Sequence, residues 1–258
     1  MRFQLPQFIE TEIKIIHEDS SIVIISKPAG VYTIPDRYDK KALNLYHYLK
    51  EKYGTIFTVH RLDKDTSGVI VFAKTAEAHK NLNTQFEKHT VKKLYHVILE
   101  GVLRDDEMDI DIPIAPSPVK KGLSMPSARG KESLTKLKVL ERFRSATFCE
   151  VNLITGRHHQ IRVHCSTIGH PLLIDNLYGN KTEFFLSSIK RKFNLKKHSD
   201  EKPIIARITM HAKELTFTHP ETDKEVSYIS DYPKDFTAVL QVLRKYSAIP
   251  DFSVYQNL

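Results

Sequence analysis

The sequence predicts an α+β fold built on a largely antiparallel mixed sheet, and three observations lead there. Short β-branched runs recur in pairs across tight turns, beginning with Ile13 to Ile16 and Ile22 to Ser26 on either side of Glu18-Asp19-Ser20-Ser21. Helical periodicity appears in only a few stretches between such runs. Strands grouped together and broken by isolated helices are the pattern of α+β rather than alternating α/β architecture. At 258 residues the chain has room for one large domain or two subdomains, with a substantial core.

Composition narrows the function classes. Hydrophobic residues make up 41% and charged residues 27%, ordinary for a soluble globular protein. A net charge of +8 favours a polyanionic partner, nucleic acid or an anionic membrane surface. Cys149 and Cys165 are the only two cysteines and lack metal-type spacing, which argues against a disulfide framework or a zinc cage. The start, Met1-Arg2-Phe3-Gln4-Leu5-Pro6, has no apolar core of the signal-peptide kind, and no run approaches a membrane span. The expected compartment is the cytoplasm.

Taken in order, the first hairpin ends at Lys27-Pro28-Ala29-Gly30, where Pro and Gly stop the strand and leave Lys27 at its tip. Read alone, Lys27 is a solvated strand-end charge. Leu45, Tyr48 and Leu49 place a helix over Ala42 to Tyr53. Next comes Val59-His60-Arg61-Leu62-Asp63-Lys64-Asp65-Thr66-Ser67-Gly68, a charged turn leading into the strand-like run Val69 to Ala73. In extended backbone Arg61 and Asp63 share a face, and Asp65 to Gly68 supply turn residues, with Gly open to positive φ. An isolated Arg-x-Asp reads as a surface ion pair. A second helix is expected over Ala76 to His89, with Ala78, Leu82 and Phe86 on the core stripe.

Lys92 to Gly101 reads as a strand with Lys93, Tyr95 and Val97 on one face and Leu94, His96 and Ile98 on the other. From Ile110 to Thr135 the pattern loosens into a proline-rich, basic connection carrying Lys120, Lys121, Arg129 and Lys131, suited to a nucleic-acid lid or a solvated excursion. Strands resume over Ser133 to Leu140 and Ala146 to Ile154. After Gly156, Ile161, Cys165 and Ile168 recur at helical spacing, so Thr155-Gly156-Arg157-His158-His159-Gln160-Ile161-Arg162-Val163-His164 opens a helix. Its histidines suggest a metal, but neighbours on a helix diverge by about 100° and no acid or cysteine completes a ligand set, so no metal site is expected. Lys181 to Lys202 is a second basic stretch. Arg207 to Ala212 and Leu215 to Pro220 read as closing strands, Phe236 to Leu243 as a last helix, and the tail from Ile249 as loose.

Three of these blocks carry a family resemblance. His60-Arg61-Leu62-Asp63-x-x-Thr66-Ser67-Gly68 resembles the signature of the RluA-type pseudouridine synthases with no substitution. Lys27-Pro28-x-Gly30 and Lys93-x-Tyr95 are similar to the family's first and second motifs. Gly156-Arg157-x-His159-Gln160-Ile161-Arg162-x-His164 is similar to its third. Gly169 to Gly179 extends the likeness, with Ile174 where the family more often has Gly. The resemblance covers about residues 13–245, and no separate N-terminal RNA-binding module of the S4 type is expected in a single catalytic domain spanning 1–258. It implies a bent central sheet crossed by a cleft, with helices packed outside.

The resemblance also implies an isomerase that converts uridine in RNA to pseudouridine. Asp63 is then the catalytic carboxylate, Tyr95 contacts the target base, and Arg162 keeps Asp63 ionised. Arg61, His60, Lys27, Lys93, Arg157 and His159 are the expected RNA-binding residues. Neither a metal nor an organic cofactor is implied, and the expected state is a monomer with no membrane and no obligate protein partner. Ribosomal and transfer RNA both fit, with target choice placed in the 114–131 and 181–203 loops. The missing module tilts the reading towards transfer RNA or a dual substrate. The alternatives are a non-catalytic RNA-binding protein on the same scaffold, and a glycosidase pairing Asp63 with Asp65 or Asp175.

Overall fold

A computed structural model of the chain describes residues 12–36, 39, 42–194 and 200–249. The end of the basic 181–202 stretch in part, and the tail beyond 249, lie outside the described residues. In chain order come β1 (Lys14–Glu18), β2 (Ile22–Lys27), α1 (Leu45–Tyr53), β3 (Phe57–Thr58), β4 (Ser67–Ala73), α2 (Ala76–Glu87) and β5 (Lys92–Glu100). There follow β6 (Glu107–Asp111), β7 (Ile114–Pro116), β8 (Ser124–Pro126), β9 (Leu134–Arg142), β10 (Ala146–Leu153) and α3 (Gln160–Thr167). Then come β11 (Met210–Thr218), β12 (Glu225–Ile229) and α4 (Lys234–Tyr246). This is α+β, a mixed sheet with flanking helices. No helix among the described residues is long and apolar enough to cross a membrane.

The chain divides into two compact units. One is drawn from Met1–Tyr95 and His211–Tyr232, the other from His96–Met210 and Pro233–Leu258. This division is finer than the single domain expected from sequence.

In the first unit β2 lies antiparallel between β1 and β4, with Lys27 opposite Gly68 and Ile22 opposite Ala73. The other edge of β4 is shared. β3 pairs with its C-terminal end, and β11 runs parallel to its first residues, His211 opposite Ser67 and Ala212 opposite Gly68. Residues 59–66 therefore leave β3 and re-enter β4 at the point where β11 takes over. Ile22, Ile24, Val69, Val71, Leu215 and Phe217 bury one face of this sheet against Ala78 and Leu82 of α2, with Phe86 at the margin. That is the expected helix stripe, and β-branched residues on a half-buried pleat explain the strands. Asn44 and Thr75 cap α1 and α2 by accepting the His47 and Ala78 amides.

Gly68 has a different task from the turn residue expected. It sits inside β4 at φ +124, and a Cβ there would lie 2.1 Å from the Ala212 carbonyl oxygen. Its missing side chain lets β11 approach β4.

The second unit is organised on β9 and β10, antiparallel from Thr147↔Arg142 to Leu153↔Thr135, with β6 antiparallel on the far side of β9. β7 and β8 form a small hairpin where the sequence read a loose connection. These strands carry little signal. β6 reads Glu-Met-Asp-Ile-Asp with only Ile110 buried, and β7 and β8 are three residues each, ending in proline. The two closing runs expected from sequence are one strand, β11. Lys213 and Glu214 interrupt the apolar pattern but not the pairing, since Glu214 lies opposite Ile229 of β12.

Candidate active site

The loop carrying Asp63 is held from below. Leu62 is buried, and Thr33 Oγ1 both accepts its amide (3.1 Å) and donates to its carbonyl (2.9 Å). The Gly30 amide donates to the Lys64 carbonyl at 2.9 Å, and the Thr66 amide closes a turn on the Asp63 carbonyl at 3.1 Å. Lys27 completes the clamp. Only 1% exposed, its Nζ donates to the carbonyls of Pro28 (2.8 Å), Val31 (2.6 Å) and Lys64 (2.8 Å). The expectation of a solvated charge at the strand tip, available to RNA phosphate, is thus corrected. A buried ammonium among carbonyls is a strut between the Lys27–Val31 turn and the Asp63 loop.

On that loop Arg61 is exposed and Asp63 half-buried on either side of the buried Leu62. The loop is irregular rather than extended, so the shared face expected from an extended backbone does not carry over to it. Tyr95, on β5 in the same unit, is 8% exposed. Burial first, and then the negative charge of Asp63, push its phenol above the ordinary range. Tyr95 thus keeps its proton beside a carboxylate.

His60 points inward. Its Nε2 accepts the Val71 amide at 3.2 Å, and its ring stacks on Phe86 with centroids 4.7 Å apart. Burial, and then the charge of Lys93, lower its pKa to about 3, so it is neutral and braces the loop instead of offering a charge. Lys93 is itself buried. Of the expected RNA contacts in this unit, Arg61 is the exposed one. Ser67 Oγ bonds His211 Nδ1 (2.9 Å), whereas the Thr66 hydroxyl is buried with no hydrogen-bond partner among the described residues.

In the second unit the Thr155–His164 block does two jobs. Gln160 uses its whole amide: Oε1 accepts from Thr155 Oγ1 (2.8 Å) and the Arg157 amide (3.0 Å), and Nε2 donates to the Leu134 carbonyl (3.0 Å) and Thr135 Oγ1 (2.9 Å). His164 Nε2 donates to the Ile112 carbonyl (2.9 Å), so its Nδ1 accepts from Thr135 Oγ1 (2.9 Å). These two residues moor α3 to β9. Arg162, 4% exposed, is the other kind: its Nε and Nη2 grip Asp175 at 2.7 and 2.6 Å. Asp175 is fully buried and also accepts the Leu177 and Tyr178 amides at 2.9 and 3.0 Å. The Tyr178 ring lies 5.1 Å from the Arg162 guanidinium carbon.

Sequence reasoning weighed Asp175 only as a glycosidase acid. Both its oxygens are engaged by a guanidinium and backbone amides, which leaves neither free to act on a sugar. Nothing local links Arg162 to an aspartate thirteen residues on; the turn at 175–178 creates the pair. Arg157 is half-exposed, with Nε on the Glu132 carbonyl (3.1 Å), and His159, at φ 56, bonds the Tyr178 hydroxyl (2.8 Å).

Among the described residues one grouping, His17, Asp19 and His219, has metal-ligand composition. Both imidazole Nε2 atoms lie 2.9 Å from Asp19 Oδ2, and His219 Nδ1 accepts the Glu221 and Thr222 amides at 3.3 Å. A ring accepting at Nδ1 carries its proton on Nε2 and directs it at the carboxylate. The grouping is a hydrogen-bonded staple between the β1–β2 turn and the end of β11.

Comparison with known proteins shows the family. The family model for RNA pseudouridylate synthase matches residues 21–167. Ribosomal large subunit pseudouridine synthase D of Pseudomonas aeruginosa is 37% identical over 241 residues, covering 92% of this chain and 73% of that protein. Its counterpart from Neisseria meningitidis serogroup B is 35% identical over 238 residues, and there this chain spans 61% of the relative. The solved structure of human RNA pseudouridylate synthase domain containing 4 is similar with a TM-score of 0.68 at 25% identity, covering 92% of this chain and 94% of that one. The chain belongs to the RNA pseudouridine synthase family of isomerases.

Proposed function

We propose that this chain converts specific uridines of structured RNA to pseudouridine, with Asp63 as the reactive carboxylate. One observation carries the reading. The intact His60-to-Gly68 string folds into a clamped loop that offers a half-buried carboxylate beside a phenol held in its protonated form.

The reaction breaks the C1′–N1 bond, turns the uracil, and joins C1′ to C5; a proton leaves C5 and N1 regains one, so mass is conserved. A stacked uridine cannot present those atoms and must be extruded, at a cost of a few kcal/mol. Arg61, planar, cationic and exposed, fills the vacated stack or holds the displaced partner base. Asp63 attacks as an anion, on the base or on the ribose, or removes a sugar proton. Tyr95 supports the uracil and lies where the C5 proton departs. Arg162, oriented by Asp175, is the cation that the family motif assigns to the reaction. Arg157 and His159 serve the RNA from the third motif, and the exposed lysines and arginines of the 114–131 loop and of residues 181–194 and 202 steer it.

The names of the relatives favour large-subunit ribosomal RNA as substrate over the transfer-RNA or dual substrate towards which the sequence reading tilted. The test is incubation of the protein and its Asp63→Asn variant with ribosomal RNA, followed by mapping of pseudouridines. Formation by the wild type and none by the variant supports the proposal; equal formation by both removes Asp63 from the chemistry.

A further inference from the structure

Position 158 is the unspecified place in the pattern Gly156-Arg157-x-His159-Gln160-Ile161-Arg162-x-His164, so the resemblance assigns no role to the histidine there. Its ring lies against that of His159, centroids 3.7 Å apart and planes 26° from parallel. Both rings are tethered. His158 Nδ1 is 3.0 Å from the hydroxyl of Ser124, a buried residue of β8. His159 Nδ1 is 2.8 Å from the Tyr178 hydroxyl, which also accepts the Ser124 amide at 2.9 Å. The Tyr178 ring stands edge-on to His159, 84° between planes. Of the pair, His159 is half-buried and His158 exposed. The result is a fixed double layer of imidazole presented to solvent.

Two neighbours say what such a surface receives. Arg157 adjoins it, half-exposed, with Nε anchored on the Glu132 carbonyl so that its terminal amino groups suit a phosphate. Tyr178, which orients His159, is the residue whose ring covers Arg162. A flat ring with a guanidinium beside it matches a nucleotide, and a base held in a duplex has no face to offer, so the nucleotide is unpaired.

We infer that His158 is a stacking platform for an unpaired nucleobase of the substrate RNA, with Arg157 taking that nucleotide's phosphate; this rests on the RNA reading above. Because both rings are already held, ordering them on binding costs little. Stacking of a base on an aromatic side chain tolerates any base, so the platform selects for an unpaired nucleotide and not for its identity.

The probes are a stem–loop RNA with unpaired uridines and one 2-aminopurine in the loop, and a fully paired RNA of equal length. His158→Ala is expected to bind the stem–loop about tenfold more weakly than wild type, and to leave the aminopurine unquenched where wild type quenches it. His158→Phe, which keeps a ring, restores both, and all three proteins bind the duplex alike. Equal affinity and quenching for wild type and His158→Ala overturns the inference, as does loss in both variants or no binding of the loop RNA by wild type. Pseudouridine assayed in the same RNA separates the two claims. Isomerisation with no effect of His158→Ala sinks the platform alone, whereas ring-dependent quenching without pseudouridine in any RNA sinks the reaction alone.

Discussion

Replacing Lys27 by Met tests whether the strut under the Asp63 loop is structural. The ammonium serves three carbonyls, of Pro28, Val31 and Lys64. Lys64 keeps a donor in the Gly30 amide, so the substitution takes the lysine donor from two buried carbonyls. Each such loss costs roughly 1–3 kcal/mol. Against this, Met no longer has to be desolvated as an ion, which offsets part of that cost. The expected net loss is about 2–3 kcal/mol. With a urea slope of roughly 2–3 kcal/mol per molar, the unfolding midpoint falls by about 1 M. The assay is urea unfolding followed by far-UV circular dichroism, with pseudouridine formation measured well below the midpoint. Turnover is expected to drop as well, because the loop loses its tie to the Lys27–Val31 turn. An unchanged midpoint would refute the claim that the ammonium supports the fold. A lowered RNA affinity with an unchanged midpoint would return Lys27 to the RNA surface.

Gly68→Ala is expected to destabilise the protein by at least about 3 kcal/mol, since the new Cβ meets backbone that cannot yield; a thermal unfolding midpoint within a degree of wild type would contradict the close approach of β11. Asp175→Asn leaves the buried Arg162 guanidinium without its counter-charge and should cost roughly 3–5 kcal/mol. Chemical denaturation reads the cost, and retained stability with retained activity would argue that the pair is dispensable. His60 is neutral in the fold with a pKa of about 3, below its unfolded value of about 6.5, so the unfolded chain binds the extra proton between those values. Its contribution to stability is fully present above about pH 6.5 and is lost as pH falls towards 3. His60→Gln, which keeps an acceptor for the Val71 amide, should narrow the loss of stability on acidification over that window. Parallel curves for the two proteins would place His60 in solvent.

Much of the fold was legible from periodicity. The Ala78, Leu82 and Phe86 stripe, the alternation of Lys93, Tyr95 and Val97, and the paired isoleucine and valine runs all fell where spacing put them, because burial of one face imposes its period on the chain. Helix ends were looser. The last helix runs Lys234–Tyr246, longer than its apolar stripe, since solvent-facing turns need no hydrophobic residues. β6, β7, β8 and β12 escaped because edge strands with exposed alternate residues look like loops.

For the candidate site, sequence alone determined which residues stand together along the chain: an arginine, an aspartate and a small-residue turn before a strand, and a histidine-rich entry to a helix. What those side chains face was decided only by the tertiary structure. Lys27 and His60 turned inward because backbone carbonyls and an amide from distant segments met them there. Asp175 became the partner of Arg162 because a turn carried it to the guanidinium. Spacing along a strand or helix sets direction within an element. The partner of a buried charge is whichever group the packing of several elements brings within hydrogen-bond reach, and no local pattern encodes that.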